Sequence, residues 1–578
     1  MPGPIYPLQP VFARGELSPR LFSRVDIDHY KMGLAECVNW LVMKQGGLRR
    51  RPGTEWISWG KYPHVKCRLV RFVFSTQQAY VLEWGSYYVR FFANGGIVAK
   101  NSRFNITFSG GYLVDWPAHG LVFNDPVVFS SSGYLPPEIA PGTTYYVSAV
   151  TTDNFTISII AGGAGMTFSN AGTGTHNVVS PVELPTPYTL DEVFQLQFAQ
   201  SADVLYIAHP NHQQQMLSRF SGSTFTFLPY SGYDGPYLPE NTTSTVMVAS
   251  GSALGPDITI TADSVTGING NAGFQPSDVG RWLSLKYSNK WYSFLITSYV
   301  AVGEVVTFSI GLIDDKGAQQ PLPSEATATA GWRLGAWSEV TGWPGCVAFY
   351  QQRLIWARSD TQPQTIWMSR AGVLDNFSVT SPLQEDDALT ITILAGEVNA
   401  IAWIAEGADL LIGTNGAMRT LGPADSSKNF GPTNFMQKRQ STFGTLNIQP
   451  VQVGEVAIYP SFYGLSLREF LFSFQVNGYV SPELTILSEH MLRSGIKAMA
   501  YAQDKDGIIW NAMGNGELVG ITYDRDQQIV ACQRHRIGGE VKNSGIVDPN
   551  NPSDPDTHYG IVESVTTIPG ADRSEVWL

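Results

Sequence analysis

The sequence predicts an all-β fold: a β-propeller-like platform built from dispersed hairpins, with two inserted small β domains and an N-terminal arm plus helix. Aromatic residues are abundant, with 15 Trp, 25 Tyr and 29 Phe in 578 residues, and Gly (57) and Pro (35) are frequent. Charged residues make up only 15% of the chain, against about 25% in ordinary soluble domains. Beyond residue 66, short alternating apolar runs are separated by turn residues, which favours strands over long helices.

The N-terminal segment, residues 1–66, is predicted to hold an extended arm followed by a helix over 28–45. Gly46-Gly47 would end that helix, and the arm before it has little apolar periodicity. We therefore expect the arm to become ordered against a neighbouring chain. The helix prediction depends on apolar residues that recur at spacings of three and four: Tyr30, Leu34, Val38, Leu41 and Val42.

The platform hairpins are predicted within residues 67–104, 181–239 and 336–578. The clearest runs over 79–91, where two alternating apolar strands flank a Gly-Ser turn. Weakly similar hairpins at irregular spacing are typical of propeller blades interrupted by inserts. An array of β-sandwiches would show the same alternation.

Two stretches, 105–180 and 240–335, are rich in Gly, Thr and Ser and lack paired hairpins. We predict that each is a small β module, peripheral to the platform. The last residues, 575–578, have the pattern of a strand whose partner lies elsewhere in the fold or outside the printed sequence.

Charge is unevenly distributed along the chain. The net charge is −12, but residues 1–66 contain ten Lys or Arg against five Asp or Glu, so this segment is +5 and the remainder −17. An acidic excess is unfavourable for nucleic-acid binding, which depends on neutralised phosphates. It suits a surface that DNA passes without sticking.

The cysteines predict neither a zinc site nor a redox motif, because none belongs to a C-x-x-C pair. We expect Cys37, Cys67, Cys346 and Cys532 to be free thiols. No stretch approaches 18 consecutive apolar residues, and the Pro-rich N-terminus lacks the plan of a signal peptide. We therefore expect no membrane insertion by this chain.

The N-terminal segment contains four distinctive groups of residues: Phe12-Ala13-Arg14-Gly15-Glu16-Leu17-Ser18-Pro19; Arg24, Asp26 and Tyr30; Cys37-Val38-Asn39-Trp40; and Gln45-Gly46-Gly47-Leu48 with Arg50-Arg51-Pro52-Gly53-Thr54. Together they resemble the opening of bacteriophage tail nozzle proteins, a family of short-tailed phages also called tail tubular protein B or the tail hub. Residues 116–176 are similar to a small β-barrel module of phage proteins named for ubiquitin-activating enzymes, without any ubiquitin chemistry being implied.

The resemblance implies a structural virion protein of the phage tail, assembled in the host bacterial cytoplasm. It would form a homohexameric ring below the adaptor, surround the channel through which double-stranded DNA leaves, and help to retain and then release the genome. Its expected partners are further copies of itself, the head-to-tail adaptor protein and a tail fibre or tail tip protein. Duplex DNA would pass transiently and without sequence specificity.

The candidate site is an interface with a neighbouring subunit or the adaptor. The planar guanidinium of arginine can form two parallel hydrogen bonds with a carboxylate, and the rest of the chain carries an excess of carboxylates. For Arg49–Arg51, a solvated face and contact with DNA phosphates remain alternatives. The candidate residues are Arg14, Glu16, Arg20, Arg24, Asp26, Tyr30, Arg49, Arg50 and Arg51.

The sequence predicts no catalytic residue, no metal site and no cofactor. The acidic run at 384–387 is read as a solvated turn, and His209 with His212 as ordinary histidines outside any zinc motif. Two alternatives to the nozzle stay open. One is a baseplate or fibre-attachment protein that binds host glycans through a barrel insert, and the other is a propeller glycosidase or depolymerase, which needs two convergent carboxylates.

Overall fold

In the part of the chain that the structure describes, six antiparallel sheets, each with a core of four strands, follow one another and pack face to face. This arrangement is a β-propeller, so the predicted all-β, propeller-like platform is confirmed. The computed structural model describes residue 9 and residues 11–62, 65–324, 327–538 and 560–578. No helix in these ranges is long and apolar enough to cross a membrane.

The N-terminal segment contains short strands and two 3₁₀ turns, and the predicted helix over 28–45 is wrong. Its backbone bonds to the last blade instead: the N–H of Asn39 donates to the carbonyl of Arg534, and the N–H of Arg534 donates to the carbonyl of Cys37. Pairing with a distant strand thus overrides the local helical pattern. The elements are β1 (Gly15–Glu16), 3₁₀ turns at Pro19–Leu21 and Asp28–Met32, β2 (Gly33–Leu34), β3 (Trp40–Val42) and β4 (Leu48–Arg50).

Blade 1 is interrupted by a closed six-stranded barrel. The barrel runs over 99–181, where a module over 105–180 was predicted, and its two ends meet because Ala99 pairs with Pro181. The blade strands are β5 (Arg68–Ser75), β6 (Gln78–Gly85), β7 (Tyr88–Ala93) and β8 (Gly96–Ile97); the barrel strands are β9 (Ala99–Ser109), β10 (Leu113–Asp115), β11 (Pro126–Ser131), β12 (Thr144–Val150), β13 (Asn154–Ser158) and β14 (His176–Pro181); β15 (Glu183–Pro185) returns to the blade.

Blade 2 follows a four-residue helix, and a second insert separates it from blade 3. The insert has one sheet in the order β20-β21-β24-β23-β22-β26 and spans 247–334, where 240–335 was predicted. The elements are α1 (Leu190–Val193), β16 (Gln197–Ser201), β17 (Val204–His209), β18 (His212–Arg219), β19 (Phe225–Pro229), β20 (Met247–Ala249), β21 (Gly255–Ala262), 3₁₀ turns at Asn269–Asn271 and Pro276–Asp278, β22 (Trp282–Tyr287), β23 (Lys290–Ala301), β24 (Glu304–Ile313), β25 (Gln319–Gln320) and β26 (Trp332–Leu334).

Blades 3 to 6 follow without inserts, and a C-terminal hairpin comes after them. Blade 3 is β27 (Cys346–Tyr350), β28 (Arg353–Ala357), β29 (Thr365–Met368) and β30 (Leu389–Thr392); blade 4 is β31 (Ile401–Ala405), β32 (Leu410–Thr414), β33 (Met418–Gly422) and β34 (Met436–Ser441). Blade 5 is β35 (Val451–Val453), β36 (Val456–Pro460), β37 (Leu467–Ser473) and β38 (Gly478–Val480), followed by a 3₁₀ helix at Ile486–Leu492; blade 6 is β39 (Ile496–Ala502), β40 (Ile508–Met513), β41 (Leu518–Asp524) and β42 (Ile529–His535), followed by β43 (Thr566–Pro569) and β44 (Ser574–Trp577).

The C-terminal hairpin closes the ring of blades. Ile568 packs with Phe92 of blade 1, while Val576 packs against the core of blade 6. The predicted strand at 575–578 thus finds its partner within the fold, since β44 pairs with β43. Large aromatic side chains fill the spaces between blades, and Trp84, Trp356, Trp367 and Trp403 are fully buried there.

Candidate assembly interface

The N-terminal segment extends the sheet of blade 6. β1 lies between β2 and β42 and pairs in parallel with both. Gly15 has a φ of +59°, and a β-carbon on it would lie 2.3 Å from the carbonyl oxygen of Cys532. Only glycine allows the two backbones to approach this closely. The arm is therefore ordered against blade 6 of its own chain, and not against a neighbouring chain as predicted.

Glu16 is the centre of this attachment, and only 1% of it is exposed. Its carboxylate accepts hydrogen bonds from the backbone N–H of Cys37 (2.8 Å) and from Nε2 of His490 (2.8 Å), and it pairs with the Arg534 guanidinium at 2.7 Å. Burial alone would raise the pKa of Glu16, but these three partners outweigh it and lower the pKa. A charged Glu16 thus ties the segment to two distant parts of its own chain.

The remaining candidate residues do not converge on Glu16. Each ion pair they form lies within the chain: Arg20 with Glu489 (2.7 Å), Arg24 with Asp26 (2.8 Å) and Arg49 with Asp506 (2.9 Å). A guanidinium N–H of Arg51 donates to the carbonyl of Arg536 (3.4 Å), and the hydroxyl of Tyr30 accepts from the N–H of Ser23 (3.3 Å). Among the described residues, Arg14 and Arg50 form no ion pair.

Sequence reasoning missed the intramolecular partners of these residues. Glu489 and His490 belong to the 3₁₀ helix at Ile486–Leu492, and Arg534 lies on β42. They are separated from the arm by more than 400 residues, and the sequence around them has no motif that points to Glu16. The structure brings them together only because blade 6 is completed by the N-terminal strand.

The segment also presents large apolar side chains to solvent. Val25 is 71% exposed and Trp56 is 67% exposed, and the rings of Trp56 and Trp59 make an edge-to-face contact at 5.8 Å. Exposed aromatic residues interspersed with arginine are typical of protein–protein interfaces. From the exposed side chains of this segment we select the following arginine and large apolar ones and name this set the arginine–aromatic surface: Arg20, Phe22, Arg24, Val25, Trp40, Arg50, Trp56, Trp59 and Tyr62.

A cleft of about 1010 Å³ adjoins this surface. Arg49, Trp56 and Trp59 line one side of it, and Phe92 of blade 1 and Trp577 of the C-terminal hairpin also line it. Trp59 further contacts the barrel, since a β-carbon at Gly142 would overlap its ring. The surface therefore meets the barrel, blade 1 and the C-terminal hairpin.

The acidic run at 384–387 is a turn, as predicted, and Glu385 and Asp386 are exposed, but Asp387 is not solvated. Asp387 is fully buried, and its Oδ2 accepts hydrogen bonds from the backbone N–H groups of Thr380 (3.0 Å) and Gln384 (2.8 Å). Asp386 pairs with Arg370 at 2.5 Å. Asp387 also lies 3.6 Å from the same Arg370 guanidinium, so both carboxylates have structural partners.

The four cysteines are free thiols in the structure. Burial raises the pKa of Cys37, Cys67 and Cys532 to about 12 and that of Cys346 to about 11. At neutral pH all four are therefore protonated and poorly reactive.

No protein-family model and no curated protein matches the chain. Among solved structures, the WD40 repeats of RRP9 are 9% identical, with 65% of this chain and 85% of that chain covered and a TM-score of 0.26. U3-55K is 8% identical, with 65% and 86% covered and a TM-score of 0.26. A putative 6-phosphogluconolactonase from Bacteroides fragilis is 12% identical, with 54% and 87% covered and a TM-score of 0.22. These values carry no argument about what this chain does.

Proposed function

We propose that this protein is a structural subunit of a phage tail nozzle: a homohexameric ring that continues the DNA channel below the adaptor and helps to retain and release the genome. The observation that carries the proposal is the N-terminal segment. This segment contains the motif residues on which the resemblance to nozzle proteins rests. One of them, Glu16, attaches the segment to blade 6, and the same segment presents the arginine–aromatic surface.

The segment combines buried residues that attach it to blade 6 with exposed residues that are free to bind a partner, and this combination supports a role in assembly. Glu16 and Leu17 are buried and attach the start of the segment to blade 6, while Arg50 and Trp56, farther along the same segment, are exposed. A surface held in one conformation loses little entropy when it binds a partner, which favours a stable closed ring. The work of such a protein is non-covalent, so the proposal makes it a non-enzymatic component of the virion.

The proposed ring is tested by the mass of the purified protein. A hexamer of 63.3 kDa chains has a mass of about 380 kDa, which light scattering coupled to size-exclusion chromatography resolves, and negative-stain images would show a ring. Trp56→Ala should shift the mass toward that of the monomer while the circular dichroism spectrum stays unchanged. Tyr134→Ala is the matched control, because Tyr134 is also exposed but lies on the barrel, and this variant should remain a ring.

Two results would contradict the proposal. One is a wild-type protein that stays monomeric at micromolar concentration. The other is a ring that is indifferent to Trp56→Ala but lost in Tyr134→Ala, which would assign assembly to the barrel instead.

A glycan-binding role is the second proposal, and the structure gives it less support. It requires an accessible Trp/Tyr cluster with polar neighbours within 105–180. The only tryptophan of this stretch, Trp116, is buried in the barrel core, although Tyr112 and Tyr134 are exposed.

A further inference from the structure

A tight hairpin in blade 2 places two histidines side by side. His209 ends β17 and His212 begins β18, and the two residues are direct cross-strand partners across the turn Pro210-Asn211. Directly opposed residues of an antiparallel pair project to the same face. Their imidazole rings accordingly lie 5.3 Å apart, centroid to centroid.

A carboxylate meets this pair from the connection between blades 1 and 2. Glu192 lies on α1, and its Oε2 accepts hydrogen bonds from the backbone N–H (2.9 Å) and the hydroxyl (2.8 Å) of Thr189, which hold it in place. The same Oε2 lies 3.1 Å from Nε2 of His212. One nitrogen of each histidine and one carboxylate oxygen all lie within 4.8 Å of one another.

Two buried polar atoms at this cluster lack hydrogen-bond partners in the described part of the chain. His209 is 1% exposed and Tyr188 is fully buried, yet within the described residues neither Nε2 of His209 nor the hydroxyl of Tyr188 has a hydrogen-bond partner. The imidazole of His212, by contrast, has the Glu192 carboxylate as its partner. The Tyr188 ring packs on both imidazoles, at 6.0 Å from His209 and 5.2 Å from His212. A buried polar group without a partner points to a bound water or ion, and these two groups lie together.

We propose that Glu192, His209 and His212 bind a divalent transition-metal ion, with Zn²⁺ as the expected species. Two imidazoles and one carboxylate form a ligand set that Zn²⁺ accepts, and a three-residue set leaves a fourth position for water. Two ligand atoms at the usual distance from a tetrahedral Zn²⁺ lie about 3.3 Å apart, close to the separation between Glu192 and His212. The ion would join the connection before blade 2 to the hairpin of that blade. This inference does not depend on the proposed nozzle function.

One contact limits the affinity. The backbone N–H of Asn211 lies 3.2 Å from Nδ1 of His209, so in this arrangement Nδ1 is the acceptor and the ring proton is on Nε2. Coordination through Nε2 requires the other tautomer and displaces this contact. Metal-ligating histidines normally donate their second N–H to an acceptor, and loss of such support costs about 10–100-fold in affinity. We therefore expect this site to bind Zn²⁺ more weakly than a structural zinc finger does.

His209 and His212 are read from the sequence as ordinary histidines because the cluster matches no zinc motif. Two intervening residues separate the histidines, which is too few for the H-x₃-H spacing of one helical face, and Glu192 precedes them by 17 positions. Their convergence depends on the hairpin register and on the place of α1 beside it.

The test is metal binding by the tag-free, EDTA-treated full chain, measured by titration calorimetry with ZnCl₂ and by the visible absorption of the Co²⁺ complex. We expect one Zn²⁺ per chain and a Co²⁺ spectrum that Zn²⁺ abolishes. Glu192→Gln keeps an acceptor for Thr189 but removes the charge, and His212→Gln removes one imidazole; each should weaken binding at least 100-fold. His29→Gln, on the N-terminal segment, is the matched control and should bind as the wild type does.

Folding of each variant is checked by its thermal unfolding without metal. In addition, ZnCl₂ should raise the melting temperature of the wild type and of His29→Gln, but not that of Glu192→Gln. The proposal is overturned if the wild type binds no Zn²⁺, or if Glu192→Gln and His212→Gln bind it with unchanged affinity, which would reveal an adventitious surface site.

Discussion

Replacement of Glu16 by alanine should detach the N-terminal segment from blade 6. Removing one partner from a buried ion pair costs about 3–5 kcal/mol, because the partner charge is left without compensation. Here the side chains of Arg534 and His490 are 23% and 16% exposed, so water can partly compensate them, and we expect a value near the lower limit, about 3 kcal/mol. That energy corresponds to about a 100-fold change in the opening equilibrium of the segment.

Hydrogen exchange monitored by mass spectrometry measures this opening directly. The backbone N–H of Cys37, which donates to the Glu16 carboxylate, and the N–H of Asn39, which donates to blade 6, should lose protection in Glu16→Ala by about two orders of magnitude. Peptides of blades 3 and 4 should exchange as in the wild type. Glu36→Gln is the matched control: Glu36 lies 4.0 Å from the same Arg534 but is 66% exposed, so its loss should change little.

The same anchor should depend on pH. The pKa of Glu16 is lower in the folded protein than in the unfolded chain, so its stabilisation is fully present above about pH 4.5 and is lost as the pH falls through the folded value. The difference in protection between the wild type and Glu16→Gln should therefore be constant near neutrality and shrink under acid. Equal protection of residues 37–42 in Glu16→Ala and the wild type at pH 7 would refute the view that this carboxylate holds the segment.

Three further predictions concern the inserts, the arm and DNA. Excision of 99–181 with a short Gly-Ser link should leave a soluble propeller, because the N–H of Val182 already bonds to the carbonyl of Val98 (2.8 Å); aggregation would show that the barrel supports the core. Deletion of residues 1–26 should destabilise blade 6 as well as prevent assembly, since it removes β1, and a lower melting temperature checks this. The assembled protein should bind duplex DNA no more tightly than about 10⁻⁴ M at 0.15 M salt, because the acidic excess of the chain disfavours contact with phosphates, and micromolar binding would contradict this expectation.

The platform could be predicted because its hairpins are local in sequence. The strands predicted within 79–91 are β6 and β7, and they pair across a short turn, so alternation and turn chemistry determine both strands and their register. The same holds for β40 and β41. The alternation of apolar residues could not predict the number of blades. The barrel interrupts the first blade between its third and fourth strands, and the second insert separates blades 2 and 3.

The N-terminal helix could not have been rejected from the sequence alone. Leu41 and Val42 are buried, as the apolar face of a helix would be. They lie in different cores, however: Leu41 packs with residues of blade 6, and Val42 packs with residues of the arm. The strand that accepts the segment lies about 500 residues later in the chain. Short segments take their conformation from such partners rather than from propensity, and no residue near 28–45 identifies the partner.

The structure also shows that part of the positive charge of residues 1–66 is paired within the same chain. We expected the +5 segment to be offset by acidic residues of a neighbouring chain, but Arg20 and Arg49 already pair with Glu489 and Asp506 of their own chain. These pairs are largely solvent-exposed on the arginine side, so each adds little stability by itself. Their effect is to neutralise arginines that would otherwise attract a partner, which leaves Arg50 and the exposed aromatic side chains as the accessible part of the segment. Assembly through this surface would therefore depend more on Trp56 and its neighbours than on the basic charge, and its salt dependence should be shallow.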